Sequence, residues 1–175
     1  MAIARAAGCP FHLIRIRLPW GGSALTDRRT PVPMGRSLSA IRKGIPSTYV
    51  PARNTILLSF ATSLAEAIHA SRIFIGAQIM DYSGYPDCRP DYYRAYAQVI
   101  RRGTKAGVEG RSIRIETPLI RKTKSQIIRL GKRLGVPYRL TWSCYAGKSR
   151  PCGSCDSCLL RDKGFREAGY EDPAL

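Results

Sequence analysis

Hydrophobic residues recur at helical spacing in the middle of the chain, in the stretch RNTILLSFATSLAEAIHA at residues 53–70. Residues four apart in sequence lie on the same face of a helix, one turn above another. The large apolar residues of this stretch follow that interval, with two further apolar residues beside them: Ile56, Phe60, Leu64, Ile68, Leu57, Ala61. The pattern predicts a helix that packs this face against the protein core.

Two short apolar stretches predict strands. The first, RIFIGA at residues 72–77, is a continuous apolar run that ends at a glycine and an alanine. Such a run is typical of a buried parallel strand. The second, SIRIETPLI at residues 112–120, alternates Ile113 and Ile115 with charged residues. This alternation indicates a strand with one face toward the core.

Two more helices are predicted, one on either side of the second strand. The first extends from Asp91 to Arg102, where large side chains recur at helical spacing: Tyr92, Tyr96, Val99. The second begins at Thr123, which has the spacing of a capping box with Gln126. It ends before Gly135 and Pro137, because glycine favours the end of a helix and proline cannot continue one.

The order helix, strand, helix, strand, helix predicts one α/β domain over residues 1–175, with a parallel sheet flanked by helices. Residues 1–20 show no clear period and stay unassigned, and residues 21–51 are rich in the residue types of loops. Ligands of such sheets bind beyond the carboxyl ends of the strands. The turns after Ala77 and Ile120 are therefore candidate sites.

Composition adds an expectation about partners. The chain has 175 residues, of which 44% are hydrophobic, so it is long and apolar enough to bury a core. The formal net charge of +17 predicts an anionic ligand or partner. The basic residues are scattered without a long block, which equally fits a solvated basic surface, and direct nucleic-acid binding is not favoured. We find neither a signal peptide nor a segment of bilayer length, and expect a cytoplasmic protein without a membrane contact.

Four cysteines near the end of the chain have metal-ligand spacing. Cys144, Cys152, Cys155 and Cys158 form the pattern C-x7-C-x2-C-x2-C within residues 140–162. In a reducing compartment such clusters bind metal more often than they form disulfides. Four thiolates fill a tetrahedral shell and predict a structural zinc site. An iron–sulfur cluster and unligated thiols stay open as alternatives.

One loop concentrates chemically active side chains, in the stretch DYSGYPDCRPDYY at residues 81–93. Asp81 and Asp87 can accept hydrogen bonds from the amidine edge of a purine-like ring. Tyr82 and Tyr85 can stack on its face. The alternative, a polar surface turn, is equally consistent with the spacing.

Two predicted helix starts carry residues that suit phosphate. Arg53 and Asn54 follow Pro51 at the first of them, and Lys124 stands at the other. Free N–H groups and the helix dipole favour anions at such positions. The alternatives are an ordinary capped helix start and a solvated basic face.

Several long motifs occur in an order that resembles the 7-cyano-7-deazaguanine synthase (QueC) family. They run from about Gly21 to Pro173: GGSALT, STYVPARNTILLS, DYSGYPDCRP, GVEG, TPLI, GVPYRLTWSCY, PCGSCDSCLLR. A series of such motifs is far more specific than a single C-x2-C pair. The resemblance implies the fold of the N-type ATP pyrophosphatases, which belong to the adenine nucleotide alpha hydrolase-like proteins.

The resemblance also implies a function. Members of this family are ligases that convert 7-carboxy-7-deazaguanine, ammonia and ATP into 7-cyano-7-deazaguanine on the route to queuosine, a tRNA modification. They carry one zinc ion on four cysteines and tend to form homodimers. By residue, the resemblance places Asp81, Tyr82, Tyr85 and Asp87 at the deazaguanine. It places Arg53, Asn54 and Lys124 toward ATP.

One family motif is absent from this sequence. The resemblance leads us to expect an SGG-x-DS loop between a strand and a helix, which binds the pyrophosphate of ATP, and no such motif occurs here. The expected fold is therefore N-terminally truncated, with weak or no turnover by this chain alone. The alternatives are a non-catalytic zinc-bearing remnant that binds a deazaguanine or a protein partner, and an RNA-binding zinc module.

Overall fold

The computed structural model describes residues 1–79, 84–147 and 149–174. Their helices and strands, in chain order, are α1 Ala2–Ala6, α2 Leu38–Ile41, α3 Arg53–Ala67, β1 Arg72–Phe74, α4 Pro90–Gly103, α5 Lys105–Val108, β2 Arg114–Glu116, α6 Lys124–Arg133 and α7 Asp156–Ala168. The chain separates into two compact units. The first comprises Met1–Val50 and Thr123–Leu175, and the second comprises Pro51–Lys122.

The second unit contains the sheet. β1 and β2 pair in parallel, with Ile73 opposite Ile115, which confirms the predicted α/β class with a parallel sheet. Because parallel strands need a crossover connection, α4 and α5 occupy the chain between them. The buried core of this unit consists of Leu58, Ala65, Ile73, Ala77, Cys88, Tyr93, Tyr96, Ile100, Ala106 and Ile113.

The helix predicted from residue 53 is present as α3, but its predicted core face is wrong. The predicted positions Phe60, Leu64 and Ile68 are exposed, Ile68 to 61%. The buried positions are instead Asn54, Leu58, Thr62 and Ala65. This helix carries apolar residues on most of its faces, so their spacing alone does not determine which face is buried.

The prediction for α4 was correct in extent and off by one residue in orientation. Tyr96 is buried as expected, but the other buried positions are Tyr93 and Ile100, and Val99 is 59% exposed. The phenol of Tyr92 bonds to the hydroxyl of Thr55 on α3 at 2.9 Å. Such a bond holds a tyrosine at the edge of the packed face, because its oxygen needs a polar partner.

The first unit is built on the packing of α6 against α7. Its buried core consists of Ile128, Phe165 and Ala168, with Tyr138 packed against it. The predicted capping box between Thr123 and Gln126 is confirmed, with both side-chain-to-backbone bonds present. α7 was not predicted, because its apolar residues lack a clear helical period and its cysteines were interpreted only as ligands.

Residues 21–51 are mostly turns and irregular structure, as predicted, apart from the single turn of α2. Over the residues that the structure describes, no helix combines the length and the hydropathy that crossing a membrane requires.

Candidate functional site

The four predicted cysteine ligands come together in the first unit. Their sulfur atoms all lie within 4.8 Å of one another. The Sγ atoms of Cys152 and Cys158 are 4.0 Å apart, as are those of Cys144 and Cys155. A tetrahedral ion with metal–sulfur bonds of about 2.3 Å separates its ligands by about 3.8 Å, whereas a disulfide needs about 2.05 Å. The geometry therefore fits four thiolates around one ion, and the cluster can hold a metal.

The start of α7 positions two of these ligands. Cys155 is the residue that precedes the helix, and Cys158 lies in its first turn. Both are buried. The helix thus fixes the spacing of these two sulfur atoms, which supports their role as ligands of one ion.

Backbone N–H groups donate to the other sulfur atoms. Cys144 Sγ accepts from the N–H of Gly147 at 2.9 Å and from that of Cys152 at 3.3 Å. Cys152 Sγ accepts from the N–H of Cys155 at 3.3 Å. Because these bonds are made to the sulfur, they favour the deprotonated form that binds metal.

The pKa values of the cluster follow from these contacts. The backbone N–H of Ser154, opposed by burial and supported by that of Cys155, lowers the pKa of Cys152 to about 6. Burial alone would raise the pKa of Cys144, but the backbone donors outweigh it and the net shift is downward. Burial, followed by the hydrogen bond with Cys155, raises the pKa of Cys158. A divalent cation favours the thiolate form at every such ligand.

Two glycines shape the loop that carries Cys144 and Cys152. Gly153 has a φ of +72°, in the left-handed region that favours a residue without a side chain. At Gly147 the requirement is steric instead. A Cβ there would overlap the carbonyl oxygen of Arg150 and lie 3.0 Å from Cys144 Sγ.

Residues 34–36 brace the cysteine cluster, a contact that the sequence does not predict. The guanidinium of Arg36 forms an ion pair with the carboxylate of Asp156, in the first turn of α7. Met34 forms an isolated antiparallel bridge with Cys155, and the N–H of Gly35 donates to Ser154 O at 2.8 Å. We call Met34, Gly35 and Arg36 the 34–36 brace.

The second unit brings four other predicted site residues together. Asp81 and Tyr82 lie outside the described residues, but Tyr85 and Asp87 adjoin the start of α3. The guanidinium carbon of Arg53 lies 5.8 Å from the centroid of the Tyr85 ring, within the range of a cation–π interaction. Tyr85 is half-buried, so the pair retains access to solvent.

Asp87 and Asn54 bond to each other. The carboxylate Oδ2 of Asp87 accepts from the backbone N–H of Asn54 at 3.1 Å. The side-chain amide of Asn54 donates in return to the backbone oxygen of Asp87 at 2.8 Å. Both residues are buried, and they join α3 to the 3₁₀ turn Pro86–Cys88.

The buried groups beside this pair are held in their protonated forms. Burial, and then the carboxylate of Asp87, raises the pKa of the Cys88 thiol. Burial, and then the neighbouring Cys88 and Asp87, raises the pKa of the Tyr93 phenol. Since a thiol and not a thiolate is present at neutral pH, Cys88 is not an activated nucleophile.

Lys124, the remaining predicted nucleotide residue, is the first residue of α6 and belongs to the first unit. Its side chain is half-buried. The free N–H groups of a helix start surround this position, so its electrostatic environment favours an anion.

Comparison with known proteins gives a consistent result. The family model described as "Queuosine biosynthesis protein QueC" matches residues 1–169, a range that includes the twenty residues left unassigned by pattern. A "7-cyano-7-deazaguanine synthase" from Nostoc sp. is 57% identical over 174 residues, covering 98% of this chain and 76% of the relative. Proteins of the same name from Trichodesmium erythraeum and Anaeromyxobacter dehalogenans are 54% and 53% identical, covering 94% and 98% of this chain and 74% of each relative.

Proposed function

Because the chain belongs to the QueC family of queuosine biosynthesis proteins, we propose that it acts as a 7-cyano-7-deazaguanine synthase. In this reaction 7-carboxy-7-deazaguanine, ammonia and ATP give 7-cyano-7-deazaguanine. The observation that carries the proposal is 57% identity to a relative of that name over 98% of the chain. The convergence of the four cysteines and of the Arg53–Tyr85 pair, each within its own unit, supports it.

The chemistry explains why ATP is needed. A carboxylate oxygen is a poor leaving group, so the substrate carboxylate first attacks the α-phosphorus of ATP and releases pyrophosphate. Ammonia then attacks the carbonyl carbon of the acyl-adenylate, AMP leaves, and an amide forms. The amide oxygen then attacks the α-phosphorus of a second ATP and releases a second pyrophosphate, which turns that oxygen into a leaving group. Loss of AMP and of the amide protons gives the nitrile.

Charge and shape suggest roles for the residues at the start of α3. The ring of Tyr85 offers a face on which a flat deazaguanine can stack. Arg53, in the first turn of α3, suits a carboxylate or a phosphate, because its guanidinium and the helix dipole both favour an anion. Lys124 suits the phosphates of ATP for the same reason. Asp81 and Tyr82 stay predicted contacts of the deazaguanine.

We assign zinc to the cysteine cluster. A set of four sulfur ligands at these separations fits tetrahedral Zn²⁺, which accepts four thiolates and leaves no position open. When bound, the ion supplies a structural crosslink between the 144–152 loop and α7. No step of the reaction needs to pass through it, and the cysteines themselves serve as its ligands only.

Turnover and binding together test the proposal. The purified chain is incubated with 7-carboxy-7-deazaguanine, ammonium and ATP, and the nitrile and AMP are quantified by mass spectrometry and chromatography. Because the SGG-x-DS motif is absent, we expect AMP release to be weak and to depend on the deazaguanine. It should be lost in Arg53→Ala but not in Arg42→Ala, which removes an exposed arginine beside α2.

Calorimetric titration with 7-carboxy-7-deazaguanine separates the alternatives. Binding without any AMP release would favour the non-catalytic deazaguanine-binding remnant. Absence of both binding and AMP release would reject the proposed function altogether.

A further inference from the structure

The first turn of α3 has no cap of its own. The residue before the helix, Ala52, has a left-handed backbone with a φ of 54° and offers no side-chain oxygen. The first N–H groups of any helix lack partners within it and need acceptors from elsewhere. At Asn54 that acceptor is the carboxylate of Asp87, 33 residues further along the chain.

Three hydrogen bonds from nitrogen and oxygen donors converge on Asp87. Its Oδ2 accepts from the N–H of Asn54, and its backbone oxygen accepts from the Asn54 amide and from the phenol of Tyr93, the last at 3.1 Å. Asn54 is 4% exposed and Asp87 5% exposed. Buried hydrogen bonds hold their donor and acceptor groups in place, because breaking one leaves a buried polar group without a partner.

The two residues that face each other at the candidate substrate site are tied directly to this cluster. Arg53 immediately precedes Asn54, and Tyr85 precedes Asp87 by two residues, with only Pro86 between them. Pro86 has a restricted φ and so adds little freedom to that connection. The bonds between Asn54 and Asp87 therefore limit how far Arg53 and Tyr85 can move apart.

We propose that Asp87 and Asn54 are positioning residues, which hold the Arg53 guanidinium over the Tyr85 ring through their reciprocal hydrogen bonds. This inference rests on the proposed function for the identity of the ligand. It assigns Asp87 and Asn54 a role behind the ligand-binding surface, in place of the direct ligand contacts predicted from the sequence. The burial of both side chains and their use of each other as partners support this role.

Two substitutions at one position distinguish positioning from direct contact. Asp87→Ala removes the acceptor for the Asn54 N–H, whereas Asp87→Asn keeps one oxygen as acceptor, replaces the other by an NH2 group and removes the charge. The matched control is Asp91→Ala, an exposed aspartate in the first turn of α4. Hydrogen exchange at the Asn54 amide reports the capping bond, and calorimetry with 7-carboxy-7-deazaguanine reports the ligand site.

We expect Asp87→Ala to accelerate exchange at the Asn54 amide and to weaken deazaguanine binding on the order of 10-fold, which corresponds to the net contribution of about one hydrogen bond. Asp87→Asn should restore most of both properties, and Asp91→Ala should change neither. Tyr93→Phe, which removes one of the three bonds without disturbing the carboxylate, should give a smaller loss of binding in a folded protein. It tests the inference even if Asp87→Ala does not fold.

Other results overturn the inference. An Asn54 amide that stays protected in Asp87→Ala shows that the carboxylate does not cap the helix. If Asp87→Ala and Asp87→Asn weaken binding equally while the Asn54 amide stays protected in both, the carboxylate of Asp87 contacts the ligand directly. A wild-type chain that does not bind the deazaguanine refutes the proposed function and the ligand half of the inference, while the exchange measurement still decides whether the capping bond exists.

Discussion

The substitution Gly147→Ala tests the geometry of the metal centre with a single methyl group. A Cβ at this position would overlap the carbonyl oxygen of Arg150, and it would stand 3.0 Å from Cys144 Sγ and 3.1 Å from Pro151 Cα. Two of these three neighbours are backbone atoms, which cannot rotate away as the end of a side chain can. The loop must therefore shift, and the hydrogen bond from Gly147 N–H to Cys144 Sγ, now 2.9 Å, shifts with it.

The magnitude follows from the two effects. Overpacking of this kind costs about 1–3 kcal/mol. Loss of a hydrogen bond to a charged acceptor costs about 1.5–3 kcal/mol. If the substitution destabilises the metal-bound form by about 3 kcal/mol relative to the metal-free form, zinc affinity drops about 10²-fold, because each 1.4 kcal/mol is a factor of ten.

Competition with a chromophoric chelator measures that affinity. Gly103→Ala is the control, because a Cβ there meets no heavy atom within 4 Å and the residue lies at the end of α4. It should leave zinc affinity unchanged. Wild-type affinity in Gly147→Ala would refute the steric argument, and a comparable loss in Gly103→Ala would show that the effect is not specific to the cysteine loop.

Three further predictions follow from other contacts. Removing zinc with a chelator should accelerate hydrogen exchange in the 34–36 brace, and Arg36→Ala should accelerate it with zinc still bound; unchanged exchange in both cases would contradict the described bracing. Gly164→Ala should lower the free energy of unfolding by about 1–3 kcal/mol in denaturant titrations, because its Cβ would approach Lys124 Cβ to 2.7 Å. An unchanged free energy of unfolding would show that α6 and α7 can separate freely. The pKa of Cys88 is raised from 9.0 in the folded state, so its contribution to stability is full below about pH 9 and is lost as pH rises through the folded-state pKa. Above about pH 9, the melting temperature of Cys88→Ala should therefore fall less steeply than that of the wild type. Parallel curves of melting temperature against pH would contradict this.

Local signals were predictable from the sequence because the residues that form them are neighbours in it. Thr123 and Gln126 satisfy each other within one helical turn, so their spacing is sufficient to indicate the capping box. The cysteine cluster is similar, since three of its four members fall within seven residues and the spacing reflects the ligand geometry. The α/β class followed from the order of the elements.

Features that depend on distant partners were not predictable. The cap that Asp87 gives to α3 joins residues 33 apart, and both residue types also suit a ligand, so nothing in the pattern favoured their mutual bond. α4 buries Tyr93 and Ile100, and hydroxyls on α3 bond to its tyrosines, including Ser59 with Tyr96 at 3.1 Å. The spacing of hydrophobic residues does not predict such contacts between polar side chains.

The ion pair between Arg36 and Asp156 spans 120 positions, and this distance constrains how the protein is made on the ribosome. The first unit combines the two ends of the chain, whereas the second is one continuous stretch between them. The carboxylate of Asp156 is synthesised only 120 residues after Arg36. The 34–36 brace therefore assembles only after that interval, during which chaperones have access to it.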